Sequence, residues 1–136
     1  LAAAAGYKFV RDTSRLTIIR PSRLSSGVTI RCGPFPLRKH DQNHYYWSKL
    51  FEPVSHYTLR QYLTIFPAWR AMYSWPSFSR AILKWALDNG NYFHLYGHSW
   101  EIEKYQMWGD LENFLKYVKG FSNIKYVTNG QLVDFQ

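Results

Sequence analysis

Tyr92-Phe-His-Leu-Tyr-Gly-His-Ser-Trp-Glu-Ile-Glu103 is the stretch of this sequence that decides the fold. Residues 92–96 are uncharged and mostly aromatic or aliphatic, which predicts a short buried strand that the following glycine ends. Side chains two residues apart share one face of a strand, so His94, Tyr96 and His98 are expected on the same side. Because α/β proteins commonly place chemistry at the carboxyl end of a buried strand, His98 is the first candidate site residue.

The regions on either side of this strand show helical periodicity. Before the strand, apolar residues at i, i+3, i+4, i+7 and i+8 predict a helix that Ser74 caps, Pro76 opens and Asp88-Asn-Gly90 ends. After the strand, a second apolar stripe predicts a helix over residues 106–119. Its acidic residues come first and its lysines last, an order that suits the helix dipole.

The other predicted elements are short. Residues 7–12 and 124–127 predict short strands, and the brief β-branched runs at residues 16–19 and 28–30 predict short strands or extended loop segments. Residues 50–70 are ambiguous but contain a helical stripe, and residues 128–131 open a last helix. Helices and strands that alternate with short turns between them are typical of parallel βα units, so the predicted class is α/β.

Two features predict that the chain is part of a larger domain. Two or three parallel strands cannot bury both faces of a sheet or close a barrel by themselves. In addition, Leu1-Ala-Ala-Ala-Ala-Gly6 has the pattern of a helix's last turn, with Gly6 as its C-cap. The expected architecture is therefore an incomplete half of a parallel α/β fold.

Composition restricts the possible functions. The content of 46% hydrophobic and 19% aromatic residues excludes a disordered chain. The net charge is +8, and residues 1–68 hold ten Lys or Arg against three Asp or Glu. These cations are scattered rather than consecutive, which favours a solvated surface over a nucleic-acid site. The single Cys32 excludes an internal disulfide, and no apolar run approaches the roughly 20 residues of a membrane span.

The chemistry available at His98 is acid–base chemistry. Histidine can give and take protons near neutral pH, and a glutamate beside an imidazole raises its pKa towards the acid role. Glu101 and Glu103 are close enough in sequence to act as that glutamate. On chemistry alone, a structural histidine with satisfied hydrogen bonds remains the more frequent interpretation.

Other chemistries fit the sequence less well. Zinc bound by His94 and His98 would need a helix with an intervening glutamate, whereas the intervening residues favour a strand. His40 and His44 are four residues apart, but no helical periodicity supports a metal site there. A nucleophilic Ser99 would need a glycine on each side, and a tryptophan follows it.

Several segments closely resemble the C-terminal end of polysaccharide deacetylases of the NodB-homology type. They are Phe93-His-Leu-Tyr-Gly-His-Ser-Trp-Glu-Ile-Glu103, Trp108-Gly-Asp-Leu-Glu-Asn-Phe-Leu115 and Tyr126-Val-Thr-Asn129. Within the first, Leu95-Tyr-Gly-His98 has the form of the family's last motif, Leu-x-x-His, whose histidine is the general acid. Gly6-Tyr-Lys-Phe-Val-Arg11 is similar to the strand of the third motif, whose arginine orients the catalytic-base aspartate.

The resemblance implies a distorted (β/α) barrel that hydrolyses the N-acetyl group of a sugar in an oligosaccharide or polysaccharide. It implies a zinc-like divalent metal, held by an aspartate and two histidines, that polarises the carbonyl and binds the attacking water. In this sequence it implies His98 as the general acid, Arg11 as the residue that orients the base, and Glu101 in a supporting role. Trp100 and Tyr96 are then expected to contact the substrate.

The family's metal-binding motifs are missing from this sequence. Neither Thr-Phe-Asp-Asp nor His-Ser/Thr-x-x-His occurs, so no metal ligand and no base can be assigned here. We therefore expect residues 1–136 to be the C-terminal portion of such a deacetylase domain, needing an N-terminal half for activity. The alternative is a small basic module without catalysis that binds a glycan or nucleic acid.

Overall fold

The structure, a computed structural model, describes residues 4–7, 10–15, 25–34, 71 and 74–132. The elements, in chain order, are β1 (Val10–Arg15), β2 (Ser25–Val28), β3 (Ile30–Cys32), α1 (Trp75–Asp88), β4 (Leu95–Gly97), α2 (Ser99–Lys104) and α3 (Trp108–Lys119). The predicted strand at residues 16–19, the helical stripe within residues 50–70 and the pair His40 and His44 lie outside the described residues.

Helix α1 confirms the prediction made from its caps and its apolar stripe. Ser74 has an extended backbone, and its Oγ accepts a hydrogen bond from the backbone N–H of Ser77 at 3.4 Å. The helix ends at Asp88, and Gly90 then turns the chain with a φ of 60°, a conformation that glycine adopts without strain.

Helix α3 is also confirmed, although it begins at Trp108 rather than at residue 106. The difference has a local cause, because Gln106 has a φ of 52° and so interrupts the helical backbone between α2 and α3. Helix α2 was not predicted. Its six residues are too few to display an apolar stripe, and they coincide with the cluster of ionisable residues that follows β4.

The strands form two separate parallel pairs, β1 with β2 and β3 with β4. Strand β4 covers Leu95–Gly97, so it begins later than the predicted strand over residues 92–96 and includes the glycine that was expected to end it. The chain before it is nevertheless held to β3, because the carbonyl of His94 accepts the N–H groups of Thr29 and Ile30 at 3.0 and 3.1 Å. The N–H of His94 in turn donates to Oγ1 of Thr29 at 2.9 Å. Whether these pairs belong to a distorted barrel stays a prediction.

Two predicted strand positions need correction. Strand β1 runs from Val10 to Arg15, so Arg11 is its second residue and not its carboxyl end. Residues 124–127 form no strand in the structure. Ile124 and Val127 are partly buried, and Ile124 packs against the core cluster that includes Leu83 of α1 and Phe114 of α3.

The core lies between the two long helices and the β3–β4 pair. Trp75 of α1 packs edge-on against Phe114 of α3, with ring centroids 6.1 Å apart. Buried members of the same cluster are Cys32, Leu83, Ile102 and Met107. Cys32 pairs with Gly97, which precedes His98, and Ile102 lies in α2, which follows it, so the core fixes the position of that histidine's backbone. No helix in the described ranges is both long and apolar enough to cross a membrane.

Candidate functional site

His98 lies where strand β4 ends and helix α2 begins. Its backbone is extended, and it is the N-cap residue of α2. The carbonyl of His98 accepts the backbone N–H groups of Glu101 and Ile102 at 3.0 and 3.1 Å. The residue is therefore held by a strand on one side and by the first turn of a helix on the other.

The glycine before His98 is required by the closeness of β3. Gly97 is paired with Cys32 in the parallel register. A Cβ atom at position 97 would lie 3.0 Å from the Cβ of Cys32, which is closer than such atoms ordinarily pack. The Tyr-Gly-His order of the sequence thus places an aromatic residue and a histidine on either side of a close strand contact.

Tyr96, His98 and Trp100 form what we call the aromatic cluster. The Tyr96 hydroxyl lies 2.8 Å from Nε2 of His98, and the two rings are nearly perpendicular with centroids 5.0 Å apart. Trp100 stacks on the same imidazole, with centroids 5.8 Å apart and an interplanar angle of 26°. Tyr96 and His98 are half-buried, whereas 59% of Trp100 is exposed. The cluster therefore presents one aromatic surface to solvent beside an anchored imidazole.

The structure brings together part of the predicted histidine face. Tyr96 and His98 are in direct contact, as their spacing of two residues predicts. His94 was expected on the same side, but its ring contacts Tyr92 in an edge-on arrangement, with centroids 6.0 Å apart. The backbone of His94 is hydrogen-bonded to Thr29 and Ile30, and its ring is in contact with Tyr92.

The carboxylate of Glu101 is bound by Arg31. Both carboxylate oxygens lie 2.5 Å from Nη2 of Arg31, and only 7% of Glu101 is exposed. The pair joins strand β3 to the first turn of α2. This ion pair and the N–H bond of Glu101 to the carbonyl of His98 hold the start of α2 in place, and the supporting role of Glu101 stays a prediction. The carboxylate of Glu103 accepts a hydrogen bond from Nε1 of Trp108 at 2.5 Å.

Arg31 is a site residue that sequence analysis missed. It lies between Ile30 and Cys32 in a run that is otherwise apolar. A charge inside a buried strand needs a partner of opposite sign. That reasoning could have singled out Arg31, but it could not have identified Glu101, because the two residues are 70 positions apart.

The structure describes the side chain of Trp100 but not that of Arg11. The backbone of Arg11 lies in β1, which pairs with β2 and not with β4. Its side chain lies outside the described part, so its role as an orienting residue stays a prediction. Trp100 is exposed and touches His98, which is the placement that a substrate-contacting residue requires.

In the part of the chain that the structure describes, the residues do not form the metal site that the family resemblance implies. Across the described ranges, no three or more His, Cys, Asp or Glu side chains are grouped so as to hold a metal ion. No chemical step through a metal is therefore assigned to these residues.

A groove of about 700 Å³ lies on another part of the molecule, beside α1 and α3. Its apolar lining includes Leu83, Phe93 and Phe114, and the described residues that line it include none of the aromatic cluster. This groove and the aromatic cluster are thus separate features of the described part of the chain.

No protein-family model matches the chain, and neither do any of the curated proteins or solved structures that were compared with it. Function is therefore inferred from the residues of the site and from the motifs that the sequence carries.

Proposed function

We propose that this chain is the general-acid portion of a metal-dependent carbohydrate deacetylase that hydrolyses N-acetyl groups of sugars, and that it is inactive alone. The observation that carries this proposal is the position of His98. Its half-buried imidazole follows a parallel strand, is anchored at the start of a helix and contacts an exposed tryptophan. This is the arrangement expected for a proton donor that works beside a bound sugar.

The proposed chemistry of His98 follows from what amide hydrolysis needs. An amine is a poor leaving group unless a positioned acid protonates its nitrogen as the carbon–nitrogen bond breaks. An imidazolium can supply that proton and return to the neutral form. Hydrogen bonds to the first turn of α2 fix the backbone of His98 after the residue, and the pairing of β4 with β3 fixes it before the residue. His98 is therefore held in a position that suits this role.

Trp100 provides the surface on which a sugar would rest. Aromatic rings bind the apolar faces of sugars, and an exposed indole in contact with a catalytic group would hold the substrate beside that group. The stacking of Trp100 on the His98 imidazole supports this proposal, because a sugar held by the indole would lie beside the imidazole. The proposed substrate class is therefore an N-acetylated oligosaccharide.

The remaining parts of the reaction must come from outside these residues. The family motifs that hold the metal and supply the base do not occur in this sequence. Without them nothing polarises the acetyl carbonyl or activates water, so the chain alone is expected to release no acetate. In the complete domain Arg11 would orient the base, as the resemblance implies.

The test combines an assay of acetate release with a binding experiment on the isolated chain. With an N-acetylated oligosaccharide and added zinc or cobalt, we expect no acetate but specific changes in the NMR signals of Trp100 and His98. Trp100→Ala should abolish binding. Trp108→Ala is the matched control, because Trp108 is also exposed at the start of a helix but does not belong to the aromatic cluster. Release of acetate would overturn the inactive-alone proposal, and absence of oligosaccharide binding would overturn the substrate assignment.

A separate experiment, binding of a polyanion at increasing salt concentration, distinguishes the alternative of a basic binding module. That alternative draws on the excess of Lys and Arg in residues 1–68. It predicts binding to a polyanion that weakens steeply as salt is added. It also predicts that Trp100→Ala and His98→Ala leave this binding unchanged, since neither substitution removes a lysine or an arginine.

A further inference from the structure

The sequence holds two asparagine–glycine pairs, Asn89-Gly90 and Asn129-Gly130. In such a pair the backbone nitrogen of the glycine can attack the side-chain carbonyl carbon of the asparagine, because a glycine has no Cβ to obstruct the approach. The attack needs an asparagine side chain that is free to turn towards that nitrogen, and a glycine N–H that is not engaged in a hydrogen bond. The two pairs differ in both respects.

The pair Asn89-Gly90 is held by the end of helix α1. The side-chain amide of Asn89 donates to the carbonyl of Trp85 at 2.8 Å, and the N–H of Gly90 donates to the carbonyl of Leu87 at 3.2 Å. Both hydrogen bonds must break before the nitrogen of Gly90 can attack the amide of Asn89. The end of the helix therefore protects this pair.

The pair Asn129-Gly130 lies in an exposed turn. Within the described ranges, neither the side chain of Asn129 nor the N–H of Gly130 makes a hydrogen bond. A Cβ atom at position 130 would meet nothing within 4 Å, so no neighbouring group crowds the glycine. The reaction at this pair therefore begins without the loss of a hydrogen bond.

The residues on either side of this exposed pair are bonded to each other. The N–H of Gln131 donates to Oγ1 of Thr128 at 3.3 Å, and the N–H of Thr128 donates to Oε1 of Gln131 at 2.8 Å. This is the reciprocal capping arrangement found at the first turn of a helix. The first N–H groups of such a turn have no partner within it, which explains why the N–H of Gly130 is free.

We propose that Asn129 is a site of spontaneous deamidation, and that the fold protects the corresponding site at Asn89. The reaction needs no reactant other than water. The nitrogen of Gly130 bonds to Cγ of Asn129 and loses its proton to water, while the side-chain amide takes a proton from water and leaves as ammonia. Water then opens the cyclic imide. Cleavage of the bond between the nitrogen and Cγ gives aspartate, and cleavage of the bond to the main-chain carbonyl gives isoaspartate.

The two products change this turn differently. Both bring a carboxylate to the groove beside α1 and α3, because Asn129 belongs to its lining. Aspartate keeps the length of the backbone and so keeps the capping arrangement of Thr128 and Gln131. Isoaspartate adds a methylene group to the backbone between those two residues, so the arrangement is lost. Leu132 is buried and its N–H donates to the carbonyl of Thr128 at 3.1 Å, so we expect isoaspartate to expose this leucine.

Peptide mapping by mass spectrometry measures both sites in one sample of the full chain, incubated at mildly alkaline pH. Each hydrogen bond that must break slows the reaction by about 2- to 10-fold, so two bonds should make Asn89 react about 4- to 100-fold more slowly than Asn129. In denaturant, where neither pair is held, the two rates should be similar. That comparison separates the protection given by the fold from the effect of the local sequence.

Gly130→Ala is the variant that tests the attacking nitrogen. Position 130 has room for a Cβ and does not have a left-handed backbone, so the variant should fold. The added methyl group obstructs the nitrogen, and deamidation at Asn129 should slow several-fold while that at Asn89 stays unchanged. Unchanged NMR signals from Phe114 in the core verify that the variant is folded.

Equal rates at the two sites of the folded chain, or a faster reaction at Asn89, would overturn the proposal. An undiminished rate at Asn129 in Gly130→Ala would overturn it as well, since the nitrogen of residue 130 would then not be the attacking group. None of these measurements involves oligosaccharide binding or acetate release, so their outcome is independent of the proposed function.

Discussion

The helical core and the site edge of this molecule are built on different principles. In the core, Trp75 and Phe114 belong to stripes of apolar residues on α1 and α3, and their burial is non-directional. At the site edge, two three-residue strands and the six-residue α2 hold polar side chains in place through a few directional contacts. The comparison shows that a large apolar core fixes where the site lies, while a few polar contacts fix how its residues are oriented.

The largest effect is expected from a substitution in the core. Phe114 is 1% exposed and contacts the rings of Trp75, Phe93 and Tyr117. Phe114→Ala removes a buried aromatic ring and leaves a cavity, so the free energy of unfolding should fall by about 3–5 kcal/mol in denaturant titrations.

The neighbouring residue supplies the control for that substitution. Leu115 is on the same helix but 54% exposed, so Leu115→Ala should change the free energy of unfolding by no more than about 0.5 kcal/mol. Equal losses in the two variants would show that the described core does not carry the stability of the chain.

The next largest effect is expected at the site edge, where Glu101 and Arg31 form the contact between α2 and β3. Glu101→Gln removes the charge from a nearly buried group and leaves the guanidinium of Arg31 without its counter-ion. A hydrogen bond to a charged group contributes about 1.5–3 kcal/mol, and the free energy of unfolding should fall by that amount. The NMR signals of His98 should also shift, because α2 begins at that residue.

An exposed ion pair gives the matched control for Glu101. The carboxylate of Glu112 bonds to Lys116 one turn later on α3, and both side chains are well exposed. This contact lowers the pKa of the Glu112 carboxyl, but water and salt screen it. Glu112→Gln should therefore leave the stability of the chain and the His98 signals unchanged. A response equal to that of Glu101→Gln would remove the distinction between a buried contact and a surface contact.

The two regions also differ in how far the sequence predicts them. Helix α1 could be predicted almost to the residue, because Ser74, Pro76 and Gly90 are local signals. The placement of His98 after a strand followed from a local pattern as well. The Arg31–Glu101 pair could not be predicted, since its two residues are 70 positions apart and only the tertiary fold brings them together. Residues 124–127 misled the prediction because an apolar run has the same pattern whether it pairs with a strand or packs on helices.

Glycine-to-alanine substitutions test this comparison, because the same substitution should lower the free energy of unfolding at the site edge and raise it in α3. Gly97→Ala places a Cβ 3.0 Å from the Cβ of Cys32, an atom fixed to the β3 backbone that cannot rotate away. The strands must separate slightly, at a cost of about 1–3 kcal/mol of unfolding free energy.

In α3, a Cβ at Gly109 meets nothing within 4 Å. Gly109→Ala should stabilise the helix by about 0.5–1 kcal/mol. Thermal unfolding of both variants measures whether each substitution stabilises or destabilises the chain. A stabilised Gly97→Ala variant would contradict the close strand contact.

The smallest effect expected here is a dependence of stability on pH, and it arises where the core meets the site edge. Cys32 is 2% exposed, and burial raises its thiol pKa from 9.0 to about 12. Between these values the unfolded chain loses the thiol proton while the folded chain keeps it, so the stabilising contribution is complete below the unfolded value and falls as the pH rises.

From about pH 8 to about pH 10, the free energy of unfolding should fall by about 1.4 kcal/mol more in the native chain than in Cys32→Ala. Denaturant titrations of both chains at the two pH values measure this difference. Equal pH slopes would mean that Cys32 is open to water, and the tight packing of β3 against Gly97, on which the placement of His98 depends, would then be wrong.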